Sequence, residues 1–126
     1  MRYVLDTTFI VDHLRGERAA RDRLAQIVDL GDEPFVTDVI VAESWTGAHA
    51  DRDPDLEALL QFIEFVQPGQ ETAMLAGRWR SDLRRRGRTL ALGDSLIAAS
   101  AHHLGATVIT RNVRDFTQTP IRVEDY

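Results

Sequence analysis

Apolar positions along the chain alternate between two spacings. Tyr3-Val4-Leu5 forms a short continuous run, as a strand buried on both faces would, and predicts a strand over Arg2 to Asp6. Phe9, Ile10 and Leu14 then recur at helical spacing up to Gly16. A second helical stretch, Glu17 to Leu30, places Leu24, Ile27, Val28 and Leu30 on its inner face and stops at Gly31. Pro34-Phe35-Val36 predicts another short strand, after which Thr37 or Asp38 can cap a helix running to about Ala50. Asp53-Pro54 opens the next helix, striped by Leu56, Leu59, Leu60 and Ile63. Phe65 to Gln67 predicts a strand ended by Pro68-Gly69.

The second half repeats the alternation. Glu71 to Arg86 predicts a long helix ending at Gly87, and Asp94 to Leu104 another stopped by Gly105. Thr107-Val108-Ile109 is a β-branched strand, Val113 to Phe116 a short helical turn, and Ile121 to Val123 a last strand. Short apolar strands alternating with helices predict an α/β chain, a three-layer α/β/α sandwich with a mostly parallel sheet and right-handed crossovers. With 126 residues and no repeat or linker, the pattern predicts a single domain over 1–126.

Composition narrows the chemistry. There is no cysteine, which excludes disulfides and thiolate metal sites and fits a reducing cytoplasm. Acids interrupt the apolar N-terminus, unlike a secretory signal, and no run approaches the roughly 18 apolar residues of a membrane span. All fifteen basic residues are arginine, so the lysine of a P-loop is missing. A net charge of −5 disfavours a nucleic-acid partner, but six arginines (78, 80, 84, 85, 86 and 88) fall within eleven positions. Arg80, Arg84 and Arg88 would share one helix face if the helix continued through Gly87, where they could grip phosphates or merely sit in solvent at a helix end.

Four acids stand where parallel sheets build sites, at strand ends and nearby helices. Asp6 ends the first strand, and Asp115 follows the Thr107–Ile109 strand by six residues. Glu43 interrupts an apolar stretch two turns into its helix, where a carboxylate should be paired or bound to a cation. Asp94 starts a helix of small and apolar residues. Taken singly, Asp6 and Asp94 could be helix caps, Asp115 a loop acid, and Glu43 an arginine partner. Taken together, they form a set of oxygen donors that would repel one another without a hard cation such as Mg²⁺, or Mn²⁺ in its place. Trp45 and Trp79 could stack bases, but at helical positions they read rather as core or interface anchors. His102 and His103 lack metal-ligand spacing and read as structural.

These segments resemble the PIN-domain nucleases, and within them the VapC-type toxins of bacterial and archaeal toxin–antitoxin pairs. YVLDTTFIVDHL resembles the first strand of the family, with Asp6 its first acid and Thr8 the hydroxyl that follows. VTDVIVAESWTG carries the glutamate, Glu43, and LALGDSLIAASAHHLGATVITRNVRDF carries Asp94 and Asp115. The resemblance covers essentially the whole chain. It implies a small α/β/α sandwich that cleaves RNA with Mg²⁺ as an endoribonuclease toxin, with a cognate antitoxin and a homodimer as its assemblies. It makes Asp6, Glu43, Asp94 and Asp115 the catalytic set and Asp6 and Asp94 the direct metal ligands. Thr8, Thr110 and Asn112 are expected to hydrogen-bond in the pocket, and Asp12 to be a solvent-facing helix residue. A housekeeping RNA-processing nuclease and a catalytically silent antitoxin-binding subunit are the alternative functions; the four acids argue against the silent one. The segment from Asp51 to Gln70 carries no motif and could be a variable, clip-like region.

Overall fold

A computed structural model describes residues 1–47 and 53–126. Strand β1 (Arg2–Leu5) leads into helices α1 (Thr7–Leu14) and α2 (Arg18–Asp29). Next come β2 (Glu33–Thr37), α3 (Asp38–Thr46), α4 (Asp53–Phe62) and β3 (Glu64–Val66). The chain continues through α5 (Gln70–Arg85), α6 (Leu92–Leu104), β4 (Thr107–Ile109), α7 (Val113–Phe116) and β5 (Arg122–Glu124). The expected extension of α3 to about Ala50 lies outside the described residues.

The strands form one parallel sheet in the order β3-β2-β1-β4-β5. The α/β sandwich inferred from strand–helix alternation is therefore the architecture. Its order also creates a feature that periodicity cannot show. The sheet grows from β1 to β2 to β3 in one direction, then returns to add β4 on the other side of β1. At that reversal the loops leaving β1 and β4 diverge, and a crevice opens at their carboxyl ends.

The centre of the core is β1 and β4. Val4, Leu5, Val108 and Ile109 are fully shielded, with Phe9, Ile10, Ile97, Ala98 and Phe116 packed over them. Each such large side chain stabilises the fold by about 1.5–3 kcal/mol through burial. Helix α6 lies against β1, and its small residues Ala98, Ala99, Ser100 and Ala101 are buried. On α2 the inner face is Ala20, Leu24 and Ile27, spaced by four and three. Val28 and Leu30, expected on that face, are instead exposed at 44% and 67%. Ile27 takes the inward position, which turns Val28 about 100° away, and Leu30 already lies past the helix end.

Candidate active site

Asp6 leaves the end of β1 at the reversal point. Its amide donates to the Ile109 carbonyl (3.1 Å), continuing the β1–β4 ladder by one more bond. Its backbone sits at the N-cap of α1, yet its side chain makes no capping hydrogen bond. The carboxylate instead receives Thr110 Oγ1 at 2.7 Å and Thr8 Oγ1 at 3.2 Å, both on Oδ2. Asp6 is 3% exposed, and burial pushes its pKa up. The two hydroxyls and the nearby amides of Thr7 and Thr8 oppose that rise by favouring the charged form. Thr110 is fully buried after β4, and its Oγ1 also accepts the Asn112 amide (2.9 Å).

Helix α6 brings the next acid. It begins at Leu92 rather than at Asp94, so Asp94 is a first-turn residue and Ala91 holds the N-cap position. Asn112 Nδ2 donates to Asp94 Oδ2 at 3.3 Å, joining α6 to the turn after β4. Asp94 titrates at about 6, first because of partial burial and then because of the charges of Asp6, Glu43 and Asp115, in that order. The four acids, spread over more than a hundred positions of sequence, therefore share one electrostatic neighbourhood.

Glu43 reaches the cluster from α3. Its sequence neighbours are apolar, but only Ile40 and Ser44 of α3 are buried and Glu43 faces out. Its partner is a hydroxyl and not an arginine: Thr7 Oγ1 donates to Glu43 Oε1 at 2.8 Å. Gly93 supports this approach, since a Cβ there would meet Glu43 Oε2 at 3.2 Å and Val39 at 3.4 Å. Neither Thr7 nor Gly93 stood out in the sequence, where no spacing marks either. Asp115 sits in the first turn of α7, and its carbonyl accepts the Gln118 amide (3.3 Å).

The donor set consists of carboxylate oxygens, supplemented by hydroxyl and amide groups that orient them. Among the described residues no group of three or more acids or histidines is arranged to hold a metal ion by itself. An open site suits Mg²⁺, which accepts one or two carboxylates and keeps waters and phosphate oxygens for the rest. Burial first, and then the charges of Asp6, Glu43 and Asp115, raise Asp94, and a cation among these carboxylates would relieve that repulsion.

Asp12 is not the solvent-facing residue expected. It accepts Arg111 Nε at 2.5 Å and Tyr126 OH at 2.6 Å, and its side chain is 16% exposed. The Arg111 guanidinium stacks on the Tyr126 ring (4.6 Å), which packs edge-on against Phe9 (4.9 Å). The Arg111 amide donates to Thr8 Oγ1 (3.2 Å). This clasp holds the Thr110–Asn112 turn that serves Asp6 and Asp94. The clue available in sequence was an acid three residues from buried Phe9, too weak to find it.

The other residues separate by position. Trp79 meets His102 edge-to-face (5.7 Å), and Thr72 Oγ1 lies 2.6 Å from His103 Nδ1, so both histidines are structural. Trp45 is 39% exposed. Arg80 is tied to the Leu90 carbonyl (3.0 Å) and Arg85 to Asp82 (3.4 Å). Helix α5 ends before Gly87, whose φ of +72° breaks it, so Arg88 leaves the face expected to hold Arg80 and Arg84.

Residues 3–121 match the PIN domain family model. The chain is 33% identical to ribonuclease VapC19 of Mycobacterium tuberculosis over 117 residues, 93% of this chain and 94% of that protein. It has the fold of a chain in the VapBC2 structure from Rickettsia felis bound to a promoter DNA fragment, with a TM-score of 0.87, 21% identity, and 100% and 99% of the two chains covered. It is also similar to a chain of VapBC-5, a member of the VapBC family of toxin–antitoxin systems from Mycobacterium tuberculosis. That likeness has a TM-score of 0.65 and 25% identity, and covers 98% of this chain and 96% of the other.

Proposed function

The chain belongs to the PIN-domain family, and on that premise we propose that it is a metal-dependent endoribonuclease acting as the toxin of a toxin–antitoxin pair, with one nuclease domain over residues 1–126. The observation that carries the catalytic reading is the convergence of Asp6, Glu43 and Asp115 on Asp94, whose pKa is pushed up to about 6 by partial burial first and by their charges next. Such a cluster serves a cation-assisted reaction on a polyanion better than it serves stability, because unpaired carboxylates destabilise one another.

Asp6 and Asp94 are the residues that would hold Mg²⁺, or Mn²⁺ in its place, whose chemistry is to acidify a water and offset charge growing on the phosphate. The chain's own groups prepare that position. Thr8 and Thr110 fix Asp6 through Oδ2 and favour its ionised form. Asn112 turns Asp94 toward the cluster, and Thr7 holds Glu43 at its edge. Glu43 and Asp115 complete the acidic pocket, where a carboxylate can orient a water and accept its proton. The expected partners are an RNA substrate, a cognate antitoxin and a second copy of the chain. No helix among the described residues is long and apolar enough to cross a membrane.

Purified protein should cut RNA endonucleolytically with Mg²⁺, and Asp6→Asn or Asp94→Asn should lose that activity while retaining the far-ultraviolet spectrum of the folded chain. Full activity in either variant would sink the four-acid site. Growth arrest on expression, relieved by co-expression of a short protein encoded immediately upstream, would favour the toxin role over a housekeeping nuclease.

A further inference from the structure

A cavity of about 570 Å³ opens beside the acidic cluster and shares Asp115 with it. Its other walls are the turn after α5, with Arg88 and Thr89, and the α7 region, with Arg114 and Gln118. The volume lies within the roughly 300–1,000 Å³ of sites that enclose a small ligand. Two guanidiniums line it against one carboxylate, so the wall is cationic on a chain of net charge −5.

These two arginines differ from several others in the chain. Arg23 is paired with Glu124, Arg111 with Asp12, Arg85 with Asp82, and Arg80 with a carbonyl. Arg88 and Arg114 are exposed and make no ion pair or side-chain hydrogen bond among the described residues. The backbone beneath them is nonetheless fixed. Gly87 takes the left-handed conformation that ends α5, and the Arg88 amide closes the turn on the Leu83 carbonyl (2.9 Å). Gln118 Nε2 then donates to the carbonyls of Thr89 (3.2 Å) and Asp115 (3.4 Å), stitching the Arg88 turn to α7. The backbone that carries these two unneutralised arginines is thus fixed next to a cluster that repels phosphate, while their side chains stay free to meet a ligand.

We propose that this cavity is a phosphate-binding subsite for the RNA strand, in which Arg88 and Arg114 hold a backbone phosphate flanking the scissile one. It rests on the ribonuclease reading above. An acidic centre can bind a polyanion productively only if neighbouring phosphates find cations, and sequence-independent phosphate contacts set strand register. Arg88 and Arg114 act in binding and positioning, and take no part in the chemical step.

The test compares Arg88→Ala, Arg114→Ala, the double variant, the double lysine variant and the control Arg78→Ala from the exposed face of α5. Binding of a labelled single-stranded RNA oligonucleotide is measured in an Asp6→Asn background across a salt series, and steady-state cleavage in the Asp6 protein. The double alanine variant should bind roughly ten-fold or more weakly, and its log–log salt slope should shrink by about 1.4, two contacts at about 0.7 each. KM should rise with kcat nearly unchanged, the lysine pair should recover much of the slope, and Arg78→Ala should match the parent. A double variant with the parent's KM and salt slope overturns the subsite while wild-type cleavage leaves the ribonuclease assignment standing. Wild-type protein that cleaves no RNA overturns that assignment itself.

Discussion

Replacing Asp94 by Asn should make the metal-free protein more stable and the metal-loaded protein less so. Asp94 titrates at about 6 in the folded state against 3.8 for an unperturbed aspartate. The folded chain therefore binds this proton more tightly than the unfolded chain does. The stability linked to it is complete below about pH 3.8 and is lost as the pH rises through about 6. The gap amounts to roughly 3 kcal/mol; because Asp94 is only half-buried, solvent screening reduces this to about 1–2 kcal/mol. Asn keeps the shape and an oxygen to accept the Asn112 bond, and it removes the charge. In chelator at pH 7.5, Asp94→Asn should raise Tm by roughly 3–8 °C, given the unfolding entropy of a chain this size. Near pH 4 that advantage should vanish. Added Mg²⁺ should stabilise the wild type through ligand linkage and leave the variant almost unmoved, so the order of Tm values narrows or inverts. Differential scanning calorimetry over pH 4–8, with chelator and then with Mg²⁺, reads all three effects. A variant that is less stable than wild type in chelator at pH 7.5, or whose offset is the same at every pH, would refute the electrostatic reasoning.

The clasp and the hydroxyls make further expectations. Thr110→Val keeps the buried volume but removes the 2.7 Å bond to Asp6. It should cost about 1–3 kcal/mol in urea unfolding and raise the Asp6 pKa further, moving the acidic limb of the pH–rate profile upward. Gly93→Ala places a methyl 3.2 Å from Glu43 Oε2. Thermal stability should hold or rise slightly from helix propensity, while Mg²⁺-dependent cleavage falls several-fold; unchanged kcat would show that Glu43 needs no such closeness. Asp12→Ala strips the shared acceptor from Arg111 and Tyr126 and should cost about 1–2 kcal/mol, with a fall in kcat as the Thr110–Asn112 turn loosens. Tyr126→Phe should reproduce a smaller part of both effects, since the ring contact with Phe9 survives.

The local pattern determined most of the architecture. Strands buried on both faces must be continuous apolar runs, and helices packed on one side must repeat every three to four residues, so each element was readable from a short window. The glycines that end α1, α2, α5 and α6 were readable for the same reason: Gly16, Gly31, Gly87 and Gly105 all adopt positive φ. Asp6, Glu43, Asp94 and Asp115 were legible as candidates because acids at strand ends and within apolar stretches require an explanation. What they do to one another was not legible. Asp6 and Thr110 are 104 positions apart and meet only because β4 returns to the side of β1 opposite β2. Exposure was not legible either: Glu43, set among apolar neighbours in sequence, faces out, whereas Asp12, expected to face solvent, anchors Arg111 and Tyr126. Which arginines stay unpaired was also decided in three dimensions, since all fifteen have the same intrinsic chemistry and only the fold sets Arg80 against a carbonyl and Arg88 at a cavity. Periodicity is a short-range property set by backbone geometry, whereas charge, hydrogen bonding and burial depend on neighbours that arrive from distant parts of the chain.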